Sequence, residues 1–121
     1  MSTRSEIIIK DEKYSNRLYH HHDGYISGVG FDLLNRYAEK LDNPEIYLDI
    51  DDIATELVKD ASDEYEISAY PHGDIEYSYT IDLTKREITA KSGYVNDDGE
   101  FKTEHEYSYQ YIKEQKEKSN E

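Results

Sequence analysis

Residues 75–81 read Ile-Glu-Tyr-Ser-Tyr-Thr-Ile, and this run decides the fold class. Apolar or aromatic side chains alternate with polar ones, which is the period of a β-strand with one face on a core. Further strand-like runs at residues 87–90 and 106–111, with the turn signal Asn-Asp-Asp-Gly at residues 96–99 between them, continue the pattern. The C-terminal half therefore predicts an antiparallel β-meander, to which residues 66–70 add an earlier strand.

The N-terminal half predicts a hairpin and two helices. Residues 5–10 and 16–22 are expected to form the hairpin strands. Ser27 is a candidate cap for a first helix, whose apolar residues recur every three or four positions: Val29, Leu33, Leu34, Tyr37 and Leu41. A second helix is expected over residues 51–61. The predicted fold is α+β, with an N-terminal hairpin, two helices and then an antiparallel meander, the helices lying on one face.

A chain of 121 residues is long enough to close one hydrophobic core. We expect a single domain over residues 1–112. Residues 113–121 have no apolar period, and we expect them to be a frayed polar tail.

The composition also predicts a compartment. The chain has no Cys, which rules out disulfides and thiolate metal ligands and fits a reducing environment. Its N-terminus lacks the apolar stretch of a signal peptide, and no run approaches the roughly 20 apolar residues that span a bilayer. We therefore expect a cytoplasmic protein.

The net charge of −14 is concentrated in the middle of the chain. Residues 39–66 hold eleven acids and two bases, whereas residues 1–38 hold five of each. A field of this sign repels nucleic acid and anionic membranes, so neither is expected as a direct ligand.

The acids of this middle segment are the candidate partner-binding site. Carboxylates at helical and strand spacing can imitate the phosphates of a nucleic acid and attract a basic nucleic-acid-binding protein. The competing interpretation is a solvated surface that keeps a Tyr-rich protein soluble. In that case Asp49, Asp51 and Asp52 are explained by the positive N-terminal end of the second helix, which favours carboxylates. The predicted partner-binding residues are Asp49, Asp51, Asp52, Glu56, Asp60, Asp63, Glu64 and Glu66.

The run His20-His21-His22-Asp23 is a candidate metal site. Adjacent residues on a strand point to opposite faces, so at most His20 and His22 can approach one ion, with Asp23, His72 or His105 as a third ligand. The alternative is a structural role, in which one His bonds the turn that follows. Gly24, Gly28 and Gly30 match no phosphate-binding fingerprint, and a turn-and-cap role is favoured. No nucleophile motif appears, so we expect no enzyme and no cofactor.

Two stretches of the chain resemble a group of small proteins encoded by bacteriophages and mobile elements. Residues 19–30 read Tyr-His-His-His-Asp-Gly-Tyr-Ile-Ser-Gly-Val-Gly, which is similar to the H-x-D-G-Y-P-x-G-V-G signature of that group, except that Ile26 stands where the family usually has Pro. Residues 72–82 begin His-Gly-Asp-Ile-Glu-Tyr and resemble a second segment. The resemblance implies a phage-like origin and transfers no site residues.

By analogy with acidic anti-CRISPR proteins, the hypothesis is a phage-encoded, non-enzymatic inhibitor of a host defence system. Its partner would be a basic nucleic-acid-binding protein, for example a CRISPR effector such as Cas9. One alternative is a metal-dependent phage accessory protein using His20, His22 and Asp23. Another is an accessory domain that self-associates through an edge strand at residues 107–111.

Overall fold

Six strands form one mixed sheet in the computed structural model, which describes residues 3–61 and 63–119. Their order across the sheet is β3-β2-β1-β4-β5-β6. Neighbouring strands are antiparallel except β1 and β4, which are parallel. The strands are β1 (Arg4–Lys10), β2 (Ser15–His20), β3 (Tyr65–Ile67), β4 (Ile75–Asp82), β5 (Glu87–Val95) and β6 (Phe101–Tyr107).

Three α-helices accompany the sheet: α1 (Phe31–Asp42), α2 (Ile50–Asp60) and α3 (Tyr109–Ser119). In α1 and α2 the buried residues recur at helical spacing; α2, for example, buries Ile50, Ile53, Ala54 and Leu57. Within the described residues, no helix is long and apolar enough to cross a membrane.

The helices share one core with alternate side chains of the strands. Ile7 and Ile9 of β1 and Tyr79 and Ile81 of β4 are buried in the same cluster as Leu33 of α1. The intervening residues of the strands point to the other face of the sheet, which is polar. The protein is thus a mixed helix-and-sheet fold with the predicted N-terminal hairpin and the two predicted helices.

The predicted meander is wrong in one respect. Of the four strands from β3 to β6, β4, β5 and β6 follow one another as antiparallel neighbours, whereas β3 pairs with β2 on the far side of the hairpin. The chain then returns to place β4 beside β1 in parallel. Periodicity predicted that these segments are strands, but it carries no information on which strand each one pairs with.

The predicted strand over residues 106–111 is wrong beyond Tyr107, and residues 113–119, predicted as part of a frayed tail, are helical. β6 ends at Tyr107, and α3 begins at Tyr109 and continues to Ser119; residues 120 and 121 lie outside the described part of the chain. Ser108 accepts the amide of Tyr111 at 3.1 Å on its side-chain oxygen, as a helix-capping residue does. Ile112 is fully buried, and Lys113 donates to Asp42 of α1 at 2.8 Å. Docking on α1 therefore stabilises a helix that has almost no apolar stripe of its own.

Ser27 does not cap α1. A π-helical turn over Ile26–Gly30 runs directly into the helix, and the residue at the cap position is Gly30. The carbonyl groups of that turn accept the amide of Phe31, so the helix start needs no side-chain cap there.

The C-terminal end of α1 is held by Arg86, which lies in the turn between β4 and β5. Its guanidinium donates to the carbonyl oxygens of Lys40, Leu41, Asn43 and Ile46 at 2.7–3.0 Å. Arg86 itself has a φ of 58°, an unfavourable conformation for a residue with a side chain. These four bonds hold the end of α1 against the β4–β5 turn and satisfy carbonyls that a helix end leaves unpaired.

We predict that Arg86→Met lowers the free energy of unfolding by about 2–3 kcal/mol, because charged hydrogen bonds to partly buried carbonyls are lost together. Urea denaturation measures the change. The matched control is Lys85→Met, at an exposed neighbouring position, which should change stability by less than about 0.5 kcal/mol. Equal effects of the two variants would contradict a capping role for Arg86.

Candidate functional site

Three of the eight predicted partner-binding residues form a row along α2. Asp52, Glu56 and Asp60 are spaced four residues apart, which places them on one side of the helix; we call them the α2 acidic row. Asp49 lies just before it as the helix cap and accepts the amide of Asp52 at 3.2 Å. Asp63 follows the helix and is exposed.

Side chains of α1 contact this row. The hydroxyl of Tyr37 donates to Glu56 at 3.0 Å, and Arg36 reaches Asp60 at 3.5 Å. Arg36 lies closer to Asp32 on its own helix, at 3.0 Å. Among residues 3–61 and 63–119 no other Lys or Arg lies within 4.0 Å of a carboxylate of the row. The row therefore keeps most of its negative charge.

The remaining predicted residues lie elsewhere. Asp51 accepts from the side chain of Asn16 at 2.7 Å, which places it on the side of α2 towards β2. Glu64 lies 3.7 Å from the ring of buried His20. Glu66 lies on the polar face of the sheet, where it contacts His21 at 2.8 Å. The eight acids therefore do not share one face of the protein.

Tyr hydroxyls serve the neighbouring acids as neutral donors. Tyr65 donates to Asp32 at 2.7 Å, as Tyr37 does to Glu56. Burial, and then the adjacent carboxylate, raises the pKa of both phenols well above the ordinary value, so they stay protonated. Tyr37 therefore satisfies Glu56 without neutralising it, whereas Asp32 is also paired with Arg36.

The His run is divided between the two faces of the sheet. His20 is buried on the helix face against Tyr65, and His21 lies on the polar face, as the strand alternation predicts. The rings of His20 and His22 are 5.5 Å apart, centre to centre. In the part of the chain that the structure describes, no three His, Asp or Glu side chains are grouped to hold a metal ion. His20, His22 and Asp23 are therefore not assembled as a ligand set.

A polar cluster on the open sheet face was not predicted. Tyr19 donates to both carboxylate oxygens of Asp74, at 2.9 and 2.8 Å, and accepts from Arg4 at 3.1 Å. The ring of His72 stacks on Tyr19 at 4.0 Å between centroids. His21 contacts the same ring edge-on. Residues 19–21 and 72–74 therefore meet on this face of the sheet.

The glycines after the His run close a turn. Asp23, with a φ of 55°, accepts the amide of Val29 on its carbonyl at 2.9 Å. A Cβ at Gly28 would lie 2.0 Å from that same carbonyl oxygen. Gly28 is thus required because the backbone of Asp23 passes too close for a side chain. The Asp23 carbonyl and the Val29 amide bond to each other, in agreement with the predicted turn.

The chain was compared with protein families, curated proteins and solved structures. No family model, no curated protein and no solved structure matches it.

We predict that Gly28→Ala destabilises the protein by about 3 kcal/mol, because the added Cβ meets backbone that cannot move away cheaply. Thermal or urea unfolding measures the change. Gly73→Ala is the control, since nothing lies within 4 Å of a Cβ built there. That variant should stay within about 0.5 kcal/mol of the unsubstituted protein, and a Gly28→Ala variant of normal stability would contradict the close approach.

The buried His20 predicts a pH dependence of stability. Burial lowers its pKa in the folded state, with Glu64 opposing in part. As the pH falls below the unfolded pKa of about 6.5, the unfolded chain takes up a proton before the folded one does. The contribution of a neutral His20 is therefore complete above that pH and is lost on acidification.

The measurement is the free energy of unfolding at about pH 7 and about pH 5. We expect the free energy of unfolding of the unsubstituted protein to decrease between these two pH values, and His20→Gln to remove part of that decrease. His105→Gln, at an exposed position on β6, should leave the decrease unchanged. The same decrease in all three proteins would rule out His20 as the titrating group.

Proposed function

We propose that the protein is a phage-encoded, non-enzymatic inhibitor of a host defence system, acting in the host cytoplasm. It binds a basic nucleic-acid-binding protein through negative charges that take the place of nucleic acid phosphates. The observation that carries the proposal is the α2 acidic row. Glu56 accepts from the neutral hydroxyl of Tyr37, and in the described part of the chain Arg36, 3.5 Å from Asp60, is the one Lys or Arg within 4.0 Å of the row.

The spacing of the row supports the proposal. Positions four residues apart on a helix lie about 6 Å apart along its axis, close to the separation of successive phosphates on one nucleic acid strand. Asp49 and Asp63 extend the charge beyond both ends of the helix. A basic groove that binds a phosphate backbone would meet a comparable line of negative charge, and long-range attraction would steer the encounter.

The partner surface is accordingly narrower than the full set of eight acids. Glu66 is engaged with His21 on the other sheet face, and Asp51 with Asn16 beside β2. We assign the contact to the α2 acidic row with Asp49 and Asp63. A CRISPR effector such as Cas9, bound to its guide RNA, is the first partner to test, since its DNA channel is basic.

We predict that the triple charge reversal Asp52→Lys, Asp60→Lys and Asp63→Lys weakens binding to the Cas9–guide complex by about tenfold to hundredfold. Biolayer interferometry at low and physiological salt gives the affinities, and target-DNA cleavage gives the inhibition. The affinity of the unsubstituted protein should fall steeply with salt, because the attraction is electrostatic.

The matched control is Asp97→Lys, Asp98→Lys and Glu104→Lys, three exposed acids near β6 at the opposite edge of the sheet. Both triples change the net charge equally, so the control should retain most of the affinity. Equal losses in the two triples would contradict a local contact. If neither Cas9 nor any other basic nucleic-acid-binding protein tested showed salt-dependent binding, the proposed function would be wrong.

A further inference from the structure

A groove lies beside the N-terminal end of α2. It is formed by the β1–β2 turn, the segment before α2 and the start of the β4–β5 turn, and the side chains that line it include Asp11, Tyr14, Tyr47, Leu48, Asp49 and Leu83. Leu83 is buried and Leu48 is partly buried, so the inner lining is apolar. Tyr14 and Tyr47 form the exposed, outer part of the lining.

Those two side chains are largely uncovered. Tyr47 is 85 % exposed and Tyr14 is 69 % exposed. In the described ranges neither hydroxyl makes a hydrogen bond to another part of the chain. Tyr rings that are exposed beside a groove supply anchor area for a partner at low entropic cost.

The charge of the groove is negative. Asp11, Glu12 and Asp49 line it together with one cation, Lys13. The Oδ1 atom of Asp11 accepts the amides of Lys13 and Tyr14, and these bonds lower the pKa of the carboxyl group. Asp11 therefore stays ionised at neutral pH, while its other oxygen makes no hydrogen bond within residues 3–61 and 63–119.

The same chain already shows what such a pair of side chains can bind. Between α3 and α1, the ammonium group of Lys113 lies 3.9 Å from the ring centroid of Tyr109 and donates to Asp42 at 2.8 Å. A cation is held there by one Tyr face and one carboxylate together. The groove presents the same two side-chain types, and no ion pair joins Lys13 to an acid within 4.0 Å in the described residues.

We propose that this groove binds an arginine-rich segment of a partner protein, with guanidinium groups over the rings of Tyr14 and Tyr47 and against the carboxylates of Asp11 and Asp49. The inference rests on the proposed function, since Asp49 joins the groove to the α2 acidic row and a basic partner would cover both. Arginine is preferred to lysine because its planar group stacks on an aromatic ring and pairs with a carboxylate at the same time.

The test uses a short peptide of alternating Arg and Gly as the probe and follows the backbone amides of the labelled protein by NMR. The largest shifts should fall on residues 11–14, 47–49 and 83–84. A peptide of alternating Lys and Gly should bind more weakly, and one of Ser and Gly should not bind. Shifts centred on another surface, or equal binding of the Arg and Lys peptides, would overturn the proposal.

Variants separate the aromatic contact from general attraction. Tyr14→Leu with Tyr47→Leu should weaken the Arg peptide by about fivefold to tenfold, whereas Tyr14→Phe with Tyr47→Phe should retain binding, because the ring face is kept. The control Tyr94→Leu with Tyr111→Leu changes exposed Tyr residues elsewhere and should have no effect. A control as damaging as the groove variant would overturn the proposal.

The outcome is independent of the partner used to test the proposed function. No host protein is needed for the peptide titration. If the peptide binds in the groove but no nucleic-acid-binding protein binds the chain, the proposed function alone is contradicted. If such a protein binds in a salt-dependent manner and the Tyr14→Leu, Tyr47→Leu variant binds it equally well, the groove proposal alone is contradicted.

Discussion

The sheet depends on the position of β1, which pairs with β2 on one side and with β4 on the other. The first pairing is local, because a short turn joins the two strands. The second joins residues that are some 70 positions apart in the chain, with Ile7 beside Tyr79 and Ile9 beside Ile81. Parallel strands require a long connection, and here β2, α1, α2 and β3 lie between β1 and β4 in the chain. The core can close only when both pairings are made.

The second pairing also explains the turn that precedes α1. Gly24 donates its amide to Thr3, next to β1, and accepts from the hydroxyl of Tyr79 of β4 at 2.6 Å. Tyr19 and Asp74 join the two halves again on the polar face of the sheet. These contacts join residues 19–24 to residues 74–79 and hold the two sides of the sheet together.

The sequence predicts this structure where one element determines its own pattern. Helical spacing predicted α1 and α2 and their buried residues, since a period fixes which residues share a face. It could not predict the neighbours of a strand, the docking of α3 on α1, or the placement of Glu66 with His21. Those features depend on contacts between distant segments. The alternation of Tyr107, Tyr109 and Tyr111 is typical of a strand, but burial of Ile112 in the core favours a helix from Tyr109.

The distribution of hydrogen bonds explains how so acidic a chain can fold and remain acidic. A carboxylate in or near a protein surface loses water and needs donors in return, and a Lys or Arg partner would supply them while cancelling the charge. Around α2 the donors are instead a phenol, a side-chain amide and a backbone amide, at Glu56, Asp51 and Asp49. Stronger cationic partners are placed away from α2, as Lys113 is with Asp42. Satisfying a carboxylate and neutralising it are thus separate operations in this fold. At Glu56, Asp51 and Asp49 the carboxylate is satisfied, whereas neutralisation is largely withheld from the helix on which the negative field is concentrated.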